Sequence, residues 1–233
     1  MIRDNIKRIL GQMDTVCQRV GRDPKEITFV AITKIADISQ IQEILEAGLT
    51  HIGESKVQEA EEKFPALENA DIKVTRHMVG HLQTNKVKTA LEIFDVIQSV
   101  DSIKLAEVIE EQAAKLEKKI DILIQVNTSG EEQKFGAAPP ELFLLINRIV
   151  ELKHLRLQGL MTIAPLVEDK EVIRKCFRDL RFLKDAVEER FSSDRRVSMK
   201  YLSMGMSGDY QIAIEEGSSM VRIGRAIFCD QKE

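Results

Sequence analysis

The chain is poor in cysteine and proline and has no long apolar run, and each shortage narrows what it can be. Cys17, Cys176 and Cys229 are the only cysteines in 233 residues, far apart and without a C-x-x-C pair. That spacing predicts neither a disulfide framework nor a zinc site, so all three are expected as reduced thiols in a cytoplasmic protein. Cys17 and Cys176 fall on the apolar faces of predicted helices, where cysteine serves as a small buried hydrophobe. No segment is long enough to span a bilayer. The first ten residues place Ile2, Ile6, Ile9 and Leu10 at helical spacing among charges, unlike the continuous apolar core of a signal peptide. Charge of one sign is never blocked: 34 basic and 38 acidic residues are interspersed to a net −4, which leaves no footprint for nucleic acid or an anionic membrane. Linkers rich in Pro, Gly or Ser and low-complexity tracts are missing too, so a single domain over 1–233 is expected.

What is present is alternation. Apolar, β-branched runs occur at ITFVAIT (from Ile27), THIGES (Thr50), KVTRHMVG (Lys73), DVIQSV (Asp95), DILIQVN (Asp121), LRLQGLM (Leu155), MKYLSMG (Met199) and MVRIGR (Met220). Between them lie amphipathic helices, one carrying Leu105, Val108, Ile109 and Leu116, another Val172, Ile173, Cys176, Leu180 and Val187. Strands such as ITFVAI and DILIQV are apolar at successive positions, as a parallel sheet buried on both faces requires. Eight alternations with nothing left over favour a closed (β/α)₈ TIM barrel over an open doubly wound sheet. Pro139 and Pro140 mark the start of a helix, where proline is tolerated.

In such a barrel the functional face is built from the loops after the strands, with phosphate often held after the seventh and eighth. The seventh predicted strand is followed by Ser203-Met204-Gly205-Met206-Ser207-Gly208-Asp209, leading into the helix DYQIAIEEG. Glycines admit an anion close to the backbone, and Ser207 can cap the helix while free N–H groups face a phosphate. Taken alone, the segment fits equally well a reading in which Ser207 and Asp209 are capping residues only. Gly224 at the end of the eighth strand is the other expected phosphate contributor, and Arg222 lies two residues earlier on the same strand face. At the opposite end of the chain, the first strand runs straight into Lys34, which puts an ammonium at the barrel mouth. Solvation is the fate of most lysines here; Lys34 differs in following six core-like residues. A partly desolvated lysine can form a Schiff base with an aldehyde. Lysine, phosphate loop and strand-end arginine together fit pyridoxal 5′-phosphate (PLP), with Arg222 toward the pyridine nitrogen, where a permanent charge disfavours carbanion chemistry.

Six segments stand out in order along the chain: Ala31-Ile32-Thr33-Lys34; Gly53-Glu54-Ser55 with Gln58-Glu59; His77-Met78-Val79-Gly80-His81-Leu82-Gln83 with Asn85-Lys86; Gly159-Leu160-Met161; the 203–209 loop with Ala213-Ile214; and Val221-Arg222-Ile223-Gly224. Together they resemble a known family, the PLP homeostasis proteins, which share the fold of the N-terminal barrel of alanine racemase. The likeness spans the whole chain. The resemblance implies that Lys34 carries PLP as a Schiff base and that Ser203, Ser207 and Gly224 help hold its phosphate. It also implies that Arg222 approaches the pyridine nitrogen and that Ser55, His77 and Met206 contribute to the cofactor site. Ser55 stands where the family usually has Asn, Arg76 where Trp is common, Arg225 where a small hydroxyl residue is frequent and Cys229 where Gly is usual. His77 and His81 are four apart but straddle a strand end, so no metal pair is expected; His51 and His154 read as structural.

The expected function is a monomeric, cytoplasmic module that binds, buffers and releases PLP, with PLP-dependent apoenzymes as conceivable recipients. Two alternatives stay open. An amino-acid racemase of this fold would need a second base from a C-terminal β-domain, and the sequence stops at Glu233, just after its eighth strand. A barrel enzyme could instead use Lys34 as a Schiff base on a phosphorylated metabolite.

Overall fold

The computed structural model describes residues 1–67, 72–194 and 196–229. An amphipathic helix, α1 (Ile2–Val20), precedes the first strand and ends at Gly21 in the left-handed region, where the chain reverses. Eight strand and helix pairs follow: β1 (Thr28–Ile32) and α2 (Ile38–Glu46), β2 (His51–Glu54) and α3 (Val57–Lys63), β3 (Thr75–Met78) and α4 (Val87–Ile93), β4 (Val96–Val100) and α5 (Ile103–Lys115). The second half contains β5 (Ile120–Gln125) and α6 (Leu142–Ile149), β6 (Leu155–Met161) and α7 (Lys170–Arg190), β7 (Val197–Ser203) and α8 (Tyr210–Glu215), β8 (Met220–Ile223) and α9 (Arg225–Phe228). The strands pair in chain order and β8 closes on β1 in parallel, with Val30 opposite Arg222. All eight predicted strands are present. The third is shorter than KVTRHMVG suggests, because its pairing with β2 covers only Thr75 to Met78.

Period-two alternation sorts the strand residues onto two surfaces. Outward-facing Ile52, Ile97, Ile122, Ile124, Leu160 and Leu202 pack under the helices, whose buried stripes supply Ile41, Leu91, Ile109, Ile146 and Phe177. A second outer cluster joins α1 through Ile6, Ile9 and Met13 to Phe29, Ile214 and Val221, which seals the β8–β1 seam. Cys17 and Cys176 are buried on their helices, as expected, while Val172 and Leu116 are exposed at or near helix ends. Pro139 opens a single 3₁₀ turn that feeds α6.

The barrel interior is less uniform. Val30, Ile32, Val79 and Met220 form one small apolar cluster, and Val96, Leu123 and Met161 another, with Tyr201 touching both. Among them lie the buried polar residues His77, Gln98, Ser203 and Arg222. Polar groups at that depth require partners, and the pattern of those partners sets up the site.

Candidate functional site

At the C-terminal mouth a cavity of about 400 Å³ is lined by Ile32, Lys34, Met206, Ser207, Arg222, Gly224 and Arg225. Residues from the start and the end of the sequence meet there because β8 pairs with β1. Lys34 sits in the turn after β1 and is exposed, so the partial desolvation expected of it is not met: the strand ends at Ile32 and the next residues leave the sheet. Arg222 forms the floor, 4% exposed. Burial pushes its guanidinium down to about 10, with the Asp209 carboxylate opposing, so it stays charged at neutral pH.

The loop after β7 is shaped by Gly205, at φ 97°, where an added Cβ would come within 2.9 Å of Tyr210 Cα. Its internal bonding corrects the capping expectation. Asp209 is the residue before α8 but gives that helix no side-chain cap. Its carboxylate turns back to accept from the Met206 N–H at 2.5 Å. Ser207 does not cap α8 either: its Oγ accepts from the Ala226 N–H at 3.3 Å, across the loop in α9. The amides of Ser207 and Gly208 have no acceptor among the described residues. Gly224 packs edge-on to β1, where a Cβ would lie 3.2 Å from Ile32 Cβ. Free amides, the Ser207 hydroxyl, a glycine wall and the cations Lys34, Arg222 and Arg225 make this mouth chemically suited to an anion bearing an electrophile.

Beneath the cavity runs a directed chain of hydrogen bonds. Arg222 donates to Ser203 Oγ at 2.6 Å and to the Thr162 carbonyl at 2.7 Å. Ser203, having accepted from arginine, donates to Gln98 Oε1 at 2.7 Å. The Gln98 amide nitrogen therefore faces His77 Nδ1, 2.9 Å away, and His77 Nε2 carries the proton shared with His51 Nδ1 at 2.9 Å. Burial, then the nearby His51, holds His77 down to about 3, so the ring is neutral.

A family model for the alanine racemase N-terminal domain matches residues 13–232. The pyridoxal phosphate homeostasis protein of Aquifex aeolicus is 38% identical over 229 residues, covering 98% of each chain. The chain belongs to the pyridoxal phosphate homeostasis branch of this family. Among solved structures, PipY of Synechococcus elongatus, determined with PLP bound, superposes with a TM-score of 0.85 at 29% identity and covers 98% of this chain and 100% of its own. Alanine racemase of Clostridium difficile shares the fold, with a TM-score of 0.76 at 17% identity; the match covers 99% of this chain and 57% of the racemase.

For this homeostasis-type barrel the structure divides the predicted site residues into two groups. Lys34, Met206, Ser207, Arg222 and Gly224 share the cavity. Ser203 and His77 do not line it: both are buried below, on the interior face of their strands, and their polar atoms are taken up by Gln98, Arg222 and His51. Ser55 follows β2, half-buried and off the cavity wall. Of the family departures, Arg225 adds an exposed cation to the cavity. Cys229 is exposed in an adjoining depression with Ser207 and Gly208. Arg76 lies over the Phe64 ring at 5.8 Å, on the outside of the barrel.

Sequence reasoning missed Gln98 and Thr162. Gln98 had a signal: in DVIQSV it is two residues from Val96, hence on the same inward face. Thr162 had none, because it contributes a backbone carbonyl. His81 stacks on Phe135 at 3.9 Å and lies 3.6 Å from Asp101, turned away from His77's interior contacts.

Proposed function

We propose that this protein binds PLP at the β1/β7/β8 mouth, holds it as a Schiff base on Lys34, and serves as a carrier and buffer of the cofactor rather than as a catalyst. The observation that carries the reading is the single cavity in which Lys34 meets Ser207, Arg222 and Gly224. The names of the relatives and the PLP-bound PipY structure point the same way.

PLP supplies an aldehyde that captures an amine and a ring that withdraws electrons. The chain's own residues account for the rest. Lys34 would supply the amine that condenses with the aldehyde, the oxygen leaving as water with no change in oxidation state. The free amides of Ser207 and Gly208, with the Ser207 hydroxyl, would hold the phosphate, and Arg225 would add charge beside it. Arg222, fixed by Ser203 and Thr162, would offer a permanent cation to a bound ring; beside the ring nitrogen it would disfavour protonation and blunt the electron sink a racemase depends on. A monomer in the cytoplasm, exchanging PLP with apoenzymes, completes this reading.

The deciding experiment is the visible spectrum of purified protein incubated with PLP, before and after borohydride, followed by peptide mapping. The expected result is a yellow band that bleaches and a pyridoxyl group on Lys34. Protein that stays colourless, or label spread over surface lysines, would overturn the proposal and favour another phosphorylated ligand. Alanine racemisation at enzymic rates, abolished by Lys34→Ala, would overturn its non-catalytic part.

A further inference from the structure

Glu54 belongs to a motif that the cavity does not use. It ends β2 with 0% exposure on the outer face of the barrel, beneath the loop that carries Lys34. Its Oε1 accepts from the Thr33 hydroxyl at 2.7 Å and from Lys63 Nζ at 3.2 Å, and its Oε2 has no partner among the described residues. A buried carboxylate so incompletely satisfied is expensive, and burial pushes its carboxyl up against the opposing pull of Thr33 and Lys63. Lys63, the last residue of α3, is the one cation paired with it among the described residues, and its side chain is 16% exposed.

The Lys63 ammonium does more than neutralise Glu54. It also donates to the carbonyl of Thr33 at 3.0 Å and to the carbonyl of Lys34 at 3.3 Å. Thr33 is held besides by its own N–H to the Gly53 carbonyl at 3.0 Å, and its carbonyl accepts from the Ala36 N–H at 2.9 Å. Three donors on a tetrahedral ammonium thus meet two successive carbonyls and one carboxylate. The peptide units flanking Lys34 are gripped from behind the sheet, while the Lys34 side chain lies at the front, in the cavity.

We infer that Lys63, backed by Glu54, is a positioning residue for Lys34: it fixes the backbone of the β1–α2 turn so that the Lys34 amine is presented to a ligand at the mouth. The inference rests on the reading that Lys34 captures PLP. An exposed lysine on a loose turn would be one surface amine among many; a clamped one has a defined approach, and small misplacements of a reacting group cost large factors in rate.

The test compares wild type, Lys63→Met and Lys63→Arg. PLP incorporation into Lys34 is followed by borohydride trapping and peptide mapping, and amide hydrogen exchange is measured over residues 33–38 without PLP. Lys63→Met is expected to slow trapping at Lys34 about tenfold, to raise the share of label on other lysines, and to speed exchange in the turn. Lys63→Arg keeps a buried cation against Glu54, so it folds even if the Met variant does not. Its planar head holds its donors in one plane and does not reproduce the tetrahedral three-way contact, so an intermediate loss of trapping is expected. Trapping at Lys34 in either variant at the wild-type rate and selectivity would overturn the clamp while leaving the PLP reading intact. Unchanged turn exchange would also overturn it. Wild type that fails to label Lys34 would remove both.

Discussion

Arg222 and Ser203 are bonded at 2.6 Å inside the barrel, with the serine hydroxyl as acceptor. That direction fixes the rest of the chain down to His51, since a serine that accepts from arginine is free to donate to Gln98. Ser203→Ala strips a partner from two buried groups at once and is expected to destabilise the fold by about 2 kcal/mol in urea unfolding. Lys34 trapping should persist, because Ser203 is not part of the cavity wall. Loss of trapping without loss of stability would put Ser203 back in the cofactor site.

Ser207→Ala should show the opposite profile. Its hydroxyl is half-exposed at the mouth and its one bond among the described residues, from the Ala226 N–H, is long at 3.3 Å. Stability is expected to change by under about 1 kcal/mol, while PLP affinity falls roughly tenfold in a spectroscopic titration.

Arg225→Ser removes an exposed cation from the cavity without touching the buried network. Surface charge of this kind is worth about 1 kcal/mol or less, so affinity for PLP should drop a few-fold and should depend less on salt than in the wild type. Titrations at low and high ionic strength would show it; a salt dependence equal to wild type would mean that Arg225 faces solvent rather than ligand.

His77 makes stability depend on pH. Its pKa is lowered from an ordinary 6.5 to about 3, and burial lowers His51 as well. In the unfolded chain both rings take up protons below about pH 6.5, whereas in the fold His77 resists until about 3. Stability from His77 is therefore complete above the unfolded value and is lost as pH falls from 6.5 toward 3, by at most about 1.4 kcal/mol per pH unit. Urea midpoints across that range should fall, and His77→Gln should flatten the slope. A profile that stays flat in the wild type would mean that water reaches the ring.

The sequence by itself determined the barrel. Eight β-branched runs alternating with amphipathic helices leave one economical way to bury both strand faces, and DILIQV or ITFVAI cannot be placed at a solvent-facing edge. It also placed Lys34, Ser207 and Gly224 at strand ends, because strand order alone puts those ends at one mouth. Tertiary structure alone decided what each polar group does there. Ser203 and Ser207 are four residues apart with the same side chain, yet one is locked under Arg222 and the other opens on the cavity, since that choice depends on partners from β4, β8 and α9. Lys63 carries no mark in its own segment, VQEAEEK, to separate it from a solvated helix lysine. Its role arises only when α3 folds back over the end of β1 and brings the ammonium within reach of the Thr33 and Lys34 carbonyls, a contact between residues about thirty positions apart. Periodicity encodes which face a residue shows, but not which partner waits on that face.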